Sequence, residues 1–249
     1  MIGCKNCGHR FEGKYCNLCG QKGDTHRINF HYVLHEVPHA LFHFEYGIFY
    51  TIRELLLRPG KTIKGFLDGQ RVRLFKPVLF LLVTTSVTAL FVALKNKVFH
   101  LPAADPSHLA KQKPLAELTH FIQSHPGLSL LILVPFISLI NQWFFRKQKY
   151  NYWENMVINT YVIGNLNLIY IVGKFLEVLI FRTNERNIIR VAMELCFFGY
   201  MVWVYFQVYR GGEALWKTWV KCLLAPVAAF IMIVILLVLF GAAGLFLFK

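Results

Sequence analysis

The sequence predicts a mainly α-helical, polytopic membrane protein with three parts: a small N-terminal zinc ribbon, an interfacial amphipathic helix, and about five transmembrane helices. Three observations predict it. Of the 249 residues, 56% are hydrophobic and only 16% are charged, whereas a soluble domain carries about 25% charged residues; the mean hydropathy is +0.46. Apolar runs of the ~20 residues that cross a hydrocarbon core as helix recur after residue 76. Four of the six cysteines fall in the first 23 residues. The opening MIGCKNCGHR lacks the apolar stretch of a cleavable signal peptide, and Ile2 stands where N-myristoylation needs glycine.

The chain divides into a zinc ribbon over 1–23, a His-rich interfacial helix with a basic hinge over 24–76, and a five-span transmembrane domain over 77–249. In the ribbon, CKNCGHRFEGKYCNLCG sets Cys4, Cys7, Cys16 and Cys19 as two C-x-x-C pairs eight residues apart. Each pair places two thiolates on one side of a tight knuckle, and four thiolates suit one tetrahedral, structural Zn2+. Gly8 and Gly20 follow the second cysteine of each pair, where a knuckle requires a positive φ. Two disulfides would use the same cysteines, but a reducing cytoplasm opposes them. Cys196 and Cys222 lie in apolar segments and read as small core hydrophobes.

The second part opens on HYVLHEVPHALFH, with His31, His35, His39 and His43 spaced four apart. HEVPH matches H-E-x-x-H, the helical zinc-protease signature, with Glu36 in the general-base position. Pro38 argues against that chemistry. It removes a helical hydrogen bond, clashes with the Leu34 carbonyl and restricts Val37. The better expectation is a new helix from Pro38 to Leu57, passing through Gly47, with an aromatic and aliphatic face lying against the bilayer. The His cluster stays open as a possible second metal site. The following basic hinge has Pro59-Gly60 as a helix stop, and Gly65 and Gly69 as sharp turns. Its cations, Arg58, Lys61, Lys64, Arg71, Arg73 and Lys76, are candidates for phospholipid headgroups or plain topology signals.

The five apolar stretches are 77–94, 126–145, a run within 154–181, one at about 188–209, and one within 219–248. Pro135 is expected to kink the second. Asn159, Asn165, Asn167, Lys174 and Glu177 interrupt the third, so it is expected to pack inside a bundle. Lys174, Glu177 and Glu194 form an intramembrane polar set, suited to pairing for assembly or to transport. Glu154 is expected to cap the third span. The net charge of +14 sits beside the spans rather than in a separate basic domain, which favours membrane contacts over nucleic acid. Eighteen cations fall on the N-terminal side of the alternating spans and eight on the other. This predicts a cytoplasmic N-terminus and an extracytoplasmic C-terminus.

At CKNCGHRFEGKYCNLCGQ, HEVPHALFHFEYGIFYTIRELLLRPG and GQRVRLFKPVLFLL the chain resembles an uncharacterised bacterial membrane family, domain-of-unknown-function family 3667. The resemblance covers residues 1–90 well and the later spans loosely. It implies a bacterial inner-membrane protein and supplies no activity. The sequence therefore points to a non-enzymatic binding, assembly or regulatory module at the cytoplasmic face of the inner membrane. Its partners would be phospholipid and either a protein or a second copy of the chain. Two alternatives remain. One is a membrane-embedded metal-dependent enzyme acting on lipid or peptide through His35, Glu36, His39 and His43. The other is a small oligomeric transporter or channel.

Overall fold

A computed structural model describes residues 1–33, 47–98, 126–180 and 186–247. His35, Glu36, His39 and His43 lie outside the described residues, as does the loop after the first span. The ribbon is a two-stranded antiparallel sheet, β1 (Ile2–Gly3) with β2 (Arg10–Phe11), in the register Ile2 to Phe11 and Gly3 to Arg10. A second antiparallel bridge joins Tyr15 to Lys22. Beyond the ribbon, a helical turn starts at Phe30. Asn29 caps it, its side-chain oxygen accepting the Tyr32 N–H at 2.9 Å, which satisfies one orphan donor of a helix start.

Among the described residues seven helices follow: α1 (Ile48–Leu57), α2 (Pro59–Leu67), α3 (Pro77–Val98), α4 (Pro126–Phe144), α5 (Tyr152–Ile180), α6 (Arg186–Tyr209) and α7 (Leu215–Leu247). Two expectations for the hinge need correction. Gly47 is not inside a helix; it is the N-cap of α1. A Cβ there would lie 2.8 Å from the Arg73 carbonyl oxygen, so the break occurs where the chain approaches the end of the hinge. Pro59-Gly60 does stop α1, but it also starts α2, with Pro59 in the first turn, where its missing N–H costs nothing. Gly65 is accordingly helical, and only Gly69, at φ 106°, makes the turn.

Among the described residues, four helices contain stretches long and apolar enough to cross a membrane: Pro77–Leu94, Tyr152–Leu176, Val191–Tyr209 and Leu215–Leu236. Leu130–Phe144 is a shorter apolar helix. The chain alternates direction through these elements. A short 3-10 turn at Arg146–Gln148 joins α4 to α5, and Lys147 lies 3.6 Å from Glu213 in the α6–α7 connection. Gly60, at the start of α2, donates its N–H to Gln207 near the end of α6 at 3.0 Å. The basic hinge and both short connections therefore share one end of the bundle, which is also the ribbon end. This is the grouping on which the charge count rested.

The core concentrates at that end. Leu55, Ile63, Phe66, Phe75, Phe80, Phe145, Ile158, Tyr161, Tyr205 and Tyr209 are all fully buried there. Phe145 stacks on Tyr209 with centroids 3.8 Å apart. The distal halves instead expose Leu90, Leu94, Phe175, Leu195, Phe230 and Leu239. Apolar side chains outward and hydrogen-bonded backbone inward is the arrangement that suits a hydrocarbon solvent.

Candidate metal centre and its seat on the bundle

The two knuckles are built alike. Cys4 N–H donates to the His9 carbonyl at 2.9 Å and Gly8 N–H to the Cys4 carbonyl at 2.9 Å. Cys16 N–H donates to the Gln21 carbonyl and Gly20 N–H to the Cys16 carbonyl, both at 2.8 Å. Gly8 and Gly20 take φ of 75° and 73°, the left-handed conformation that costs an L side chain most and glycine least. Facing knuckles bring the four Sγ atoms within 4.8 Å of one another. Across the gap, Cys4 is 3.5 Å from Cys19 and Cys7 is 3.7 Å from Cys16. Those separations are far beyond a ~2.05 Å disulfide bond, and all four cysteines are free.

Four thiols this close do not ionise equally. Hydrogen bonds from the Asn6 side chain and the Gln21 backbone draw Cys19 down to about 6. Against the pull of the His9 backbone, desolvation and the three neighbouring thiols push Cys7 up to about 12. A divalent cation at the centre would remove that conflict, because a coordinating thiol loses its proton outright. Phe11 is buried against Cys4 and Cys16 and supplies the module's small core. Among the described residues, these cysteines form the one group of three or more Cys, His, Asp or Glu side chains able to hold a metal ion.

The ribbon is seated on its own bundle by residues that the sequence did not reveal. Gln21, directly after the second knuckle, is 3% exposed. Its side-chain oxygen accepts the backbone N–H groups of both Arg71 (3.1 Å) and Val72 (3.2 Å). Lys5 Nζ donates to the Thr25 carbonyl at 2.9 Å. Below the ribbon, Arg27 makes a two-pronged pair with Glu154 at 2.7 and 2.8 Å and also donates to the Lys149 carbonyl. Glu154 closes a capping box with Asn151: Asn151 N–H reaches Glu154 Oε2 at 2.7 Å, and Glu154 N–H reaches Asn151 Oδ1 at 2.8 Å. The expected cap on α5 is therefore present, and it doubles as the anchor for the ribbon's tether.

The hinge cations have divided fates. Arg71 packs over the rings of Tyr32 and Phe66, at 4.5 and 5.4 Å, and donates to the carbonyls of Phe66 and His26. Arg58 pairs with the largely buried Glu54 at 2.8 and 3.0 Å. Arg73 and Lys76 lie in the connection leading to α3. Lys61 and Lys64 project from α2 toward α6 and the start of α7, where both line a cleft with Arg210.

Inside the bundle the polar residues of α5 face neighbouring helices, as their positions in the third span predicted. Asn159 accepts hydrogen bonds from Asn141 (2.9 Å) and Tyr205 (2.7 Å) and donates to Ser138 (3.0 Å). Asn155 binds Gln142 and Tyr209, Asn165 binds Tyr200, and Asn167 binds Thr85. Of the polar set singled out in the sequence, Lys174 stands over the Tyr170 ring at 5.6 Å and Glu194 is exposed on α6. The Glu177 side chain lies outside the described residues.

A four-cysteine ribbon seated on a bundle of apolar helices defines a membrane protein with a small head able to hold a metal. Residues 45–89, which run from the entry to α1 into the first apolar helix, match the model of the family described as protein of unknown function (DUF3667). That is the family the sequence resembles. No curated protein and no solved structure gives a match.

Proposed function

We propose that the chain is a non-enzymatic membrane module whose ribbon holds one structural Zn2+ at the cytoplasmic face of a bacterial inner membrane. The observation that carries this reading is the pair of facing knuckles. Zn–S bonds of ~2.3 Å arranged tetrahedrally require sulfur atoms about 3.8 Å apart, and the two cross-gap distances are 3.5 and 3.7 Å. Four protein ligands close the coordination shell, so such a zinc would organise the ribbon rather than activate water. Support for a regulatory or assembly role comes from the seat. Gln21 ties the second knuckle to the turn after α2, so folding of the ribbon on its metal and docking on the bundle are linked. A protein partner or a second copy would meet the ribbon's outward face, where Leu18 and Tyr15 are 69% and 62% exposed.

Metal analysis of the purified full-length protein tests this reading. One equivalent of zinc is expected. Cys16→Ser should lose it and unfold residues 1–23, while the chain still partitions into membranes. Iron in place of zinc would overturn the metal assignment, because four thiolates also suit iron. A second equivalent that survives Cys16→Ser would overturn the single-site reading and point to His35, His39 and His43.

A further inference from the structure

A cleft of about 780 Å³ opens beside the ribbon end, between α2, the end of α6 and the start of α7. Lys61, Lys64 and Arg210 line its polar side, and Trp203, Phe206 and Trp219 line its apolar side. Asp68 is the one carboxylate on the wall, so three cations face a single anion. Among the described residues, no salt bridge engages Lys61, Lys64 or Arg210. Like charges converge here at a cost. Desolvation, followed by repulsion from Arg210, outweighs the attraction of Asp68 and holds Lys64 below the ordinary lysine value. A cluster in which three cations meet one carboxylate calls for a further anion from outside the chain.

The other wall says which anion. Trp203 and Trp219 are 37% and 43% exposed, and Phe206 stacks on Trp219 at 4.2 Å. Arg210 directly follows the apolar span Val191–Tyr209, and Trp219 lies in the first turns of the span Leu215–Leu236. Cations and half-exposed tryptophans at the ends of apolar spans mark the level of the headgroups. A soluble phosphate would use the cations and leave the indoles without a purpose. A lipid would use both.

We propose that this cleft is a binding site for one anionic phospholipid, with the phosphate held by Lys61, Lys64 and Arg210 and the glycerol and upper acyl chain against Trp203, Phe206 and Trp219. The proposal rests on the reading of the apolar helices as membrane spans. It adds a defined stoichiometric site to what would otherwise be diffuse attraction of a basic surface. The floor is rigid: Gly60 donates to Gln207 at 3.0 Å, and a Cβ on Gly60 would come within 2.3 Å of the Gln207 Cβ. The spacing of α2 from α6, and with it the width of the cleft, is therefore fixed by a glycine.

The test reconstitutes the full-length chain in phosphatidylcholine vesicles and adds either phosphatidylglycerol or phosphatidylcholine brominated on the acyl chain near the glycerol. Stable incorporation separately tests the span reading. Tryptophan quenching by the brominated anionic lipid should exceed quenching by the zwitterionic one, and Trp219→Phe should remove much of that difference. Lys61→Gln/Lys64→Gln/Arg210→Gln should lower the anionic preference about a hundredfold, at about fivefold per cation. Lys14→Gln/Arg53→Gln/Lys217→Gln, with the same net charge, should keep most of it. Lys61→Gln alters a single exposed position and should still cost about fivefold; Lys64→Arg should bind. An equal loss of preference in both triple variants would overturn the site in favour of diffuse attraction. Retained preference in the first triple variant would overturn it outright. Full displacement by inorganic phosphate, at ionic strength matched with chloride, would overturn the lipid in favour of a soluble anion.

Discussion

Gln21→Ala should unseat the ribbon without emptying it. The wild-type side chain accepts two backbone N–H groups, from Arg71 at 3.1 Å and Val72 at 3.2 Å. The substitution leaves both donors without their acceptor. A net neutral hydrogen bond is worth about 1 kcal/mol. Val72 is 43% exposed, so water reaches the vacated site and the larger penalty for a buried orphan donor does not apply. The loss is then about 2 kcal/mol, or about a 30-fold shift toward the undocked state. The contacts Lys5–Thr25 and Arg71–His26 remain, so docking is weakened rather than abolished. Cys16 N–H still reaches the backbone carbonyl of residue 21, because the substitution leaves the main chain intact. Amide hydrogen exchange by mass spectrometry on the metal-loaded, full-length protein reads the effect directly, since the Arg71 and Val72 amides are the donors. Exchange there should quicken about 30-fold, while the Cys4, Gly8, Cys16 and Gly20 amides stay protected and metal stoichiometry is unchanged. Unchanged protection at Arg71 and Val72 would refute the argument, as would collapse of the knuckles together with the dock.

Glu154→Ala removes both the capping box and the Arg27 pair and should destabilise the protein by about 2 kcal/mol: about 1 for the cap and about 1 for a pair whose Arg27 side is 61% exposed. Glu154→Gln, which retains the capping box, should cost about half as much; equal unfolding midpoints for the two variants in detergent would remove the cap from the account. Acid should loosen the α6–α7 connection. The hydrogen bond from Lys221, followed by the charges of Lys221 and Lys147, holds the Glu213 carboxyl below its ordinary 4.5. That stabilisation is present above the unfolded value and is lost as pH falls through the lowered folded value. The stability difference between wild type and Glu213→Gln should therefore be constant near neutrality and shrink in acid; a difference that stays flat throughout would show that the pair contributes nothing.

What the sequence revealed, it revealed through local spacing. Two C-x-x-C-G runs specify two knuckles almost regardless of context. The asparagines of the third span could be read as inward-facing because lipid gives them no partner. Glu154 could be read as a cap because Asn151 precedes it by three residues. The seat of the ribbon had no such signal. Gln21 meets residues about 50 positions away and Arg27 meets one 127 positions away, and neither type is unusual where it stands. Pro59-Gly60 misled for a physical reason: the same dipeptide that ends one helix suits the first turn of another, and only the close approach of Gln207 explains why glycine must follow.

The asparagine row of α5 has a consequence for how the bundle could move. Between purely apolar helices in lipid, one helix can roll or slide past another at little cost, because every rotation presents equivalent hydrocarbon. Asn155, Asn159, Asn165 and Asn167 bind α3, α4 and α6 through directional bonds. Each is worth only about 0.6 kcal/mol, but a roll of one residue, ~100°, would break them together and turn amides toward hydrocarbon. α5 is thus keyed in azimuth. A displacement of the ribbon, delivered through Arg27 to Glu154 at the head of that same helix, is therefore resisted both as a twist and as an axial slide of α5, and passes into the bundle as a tilt.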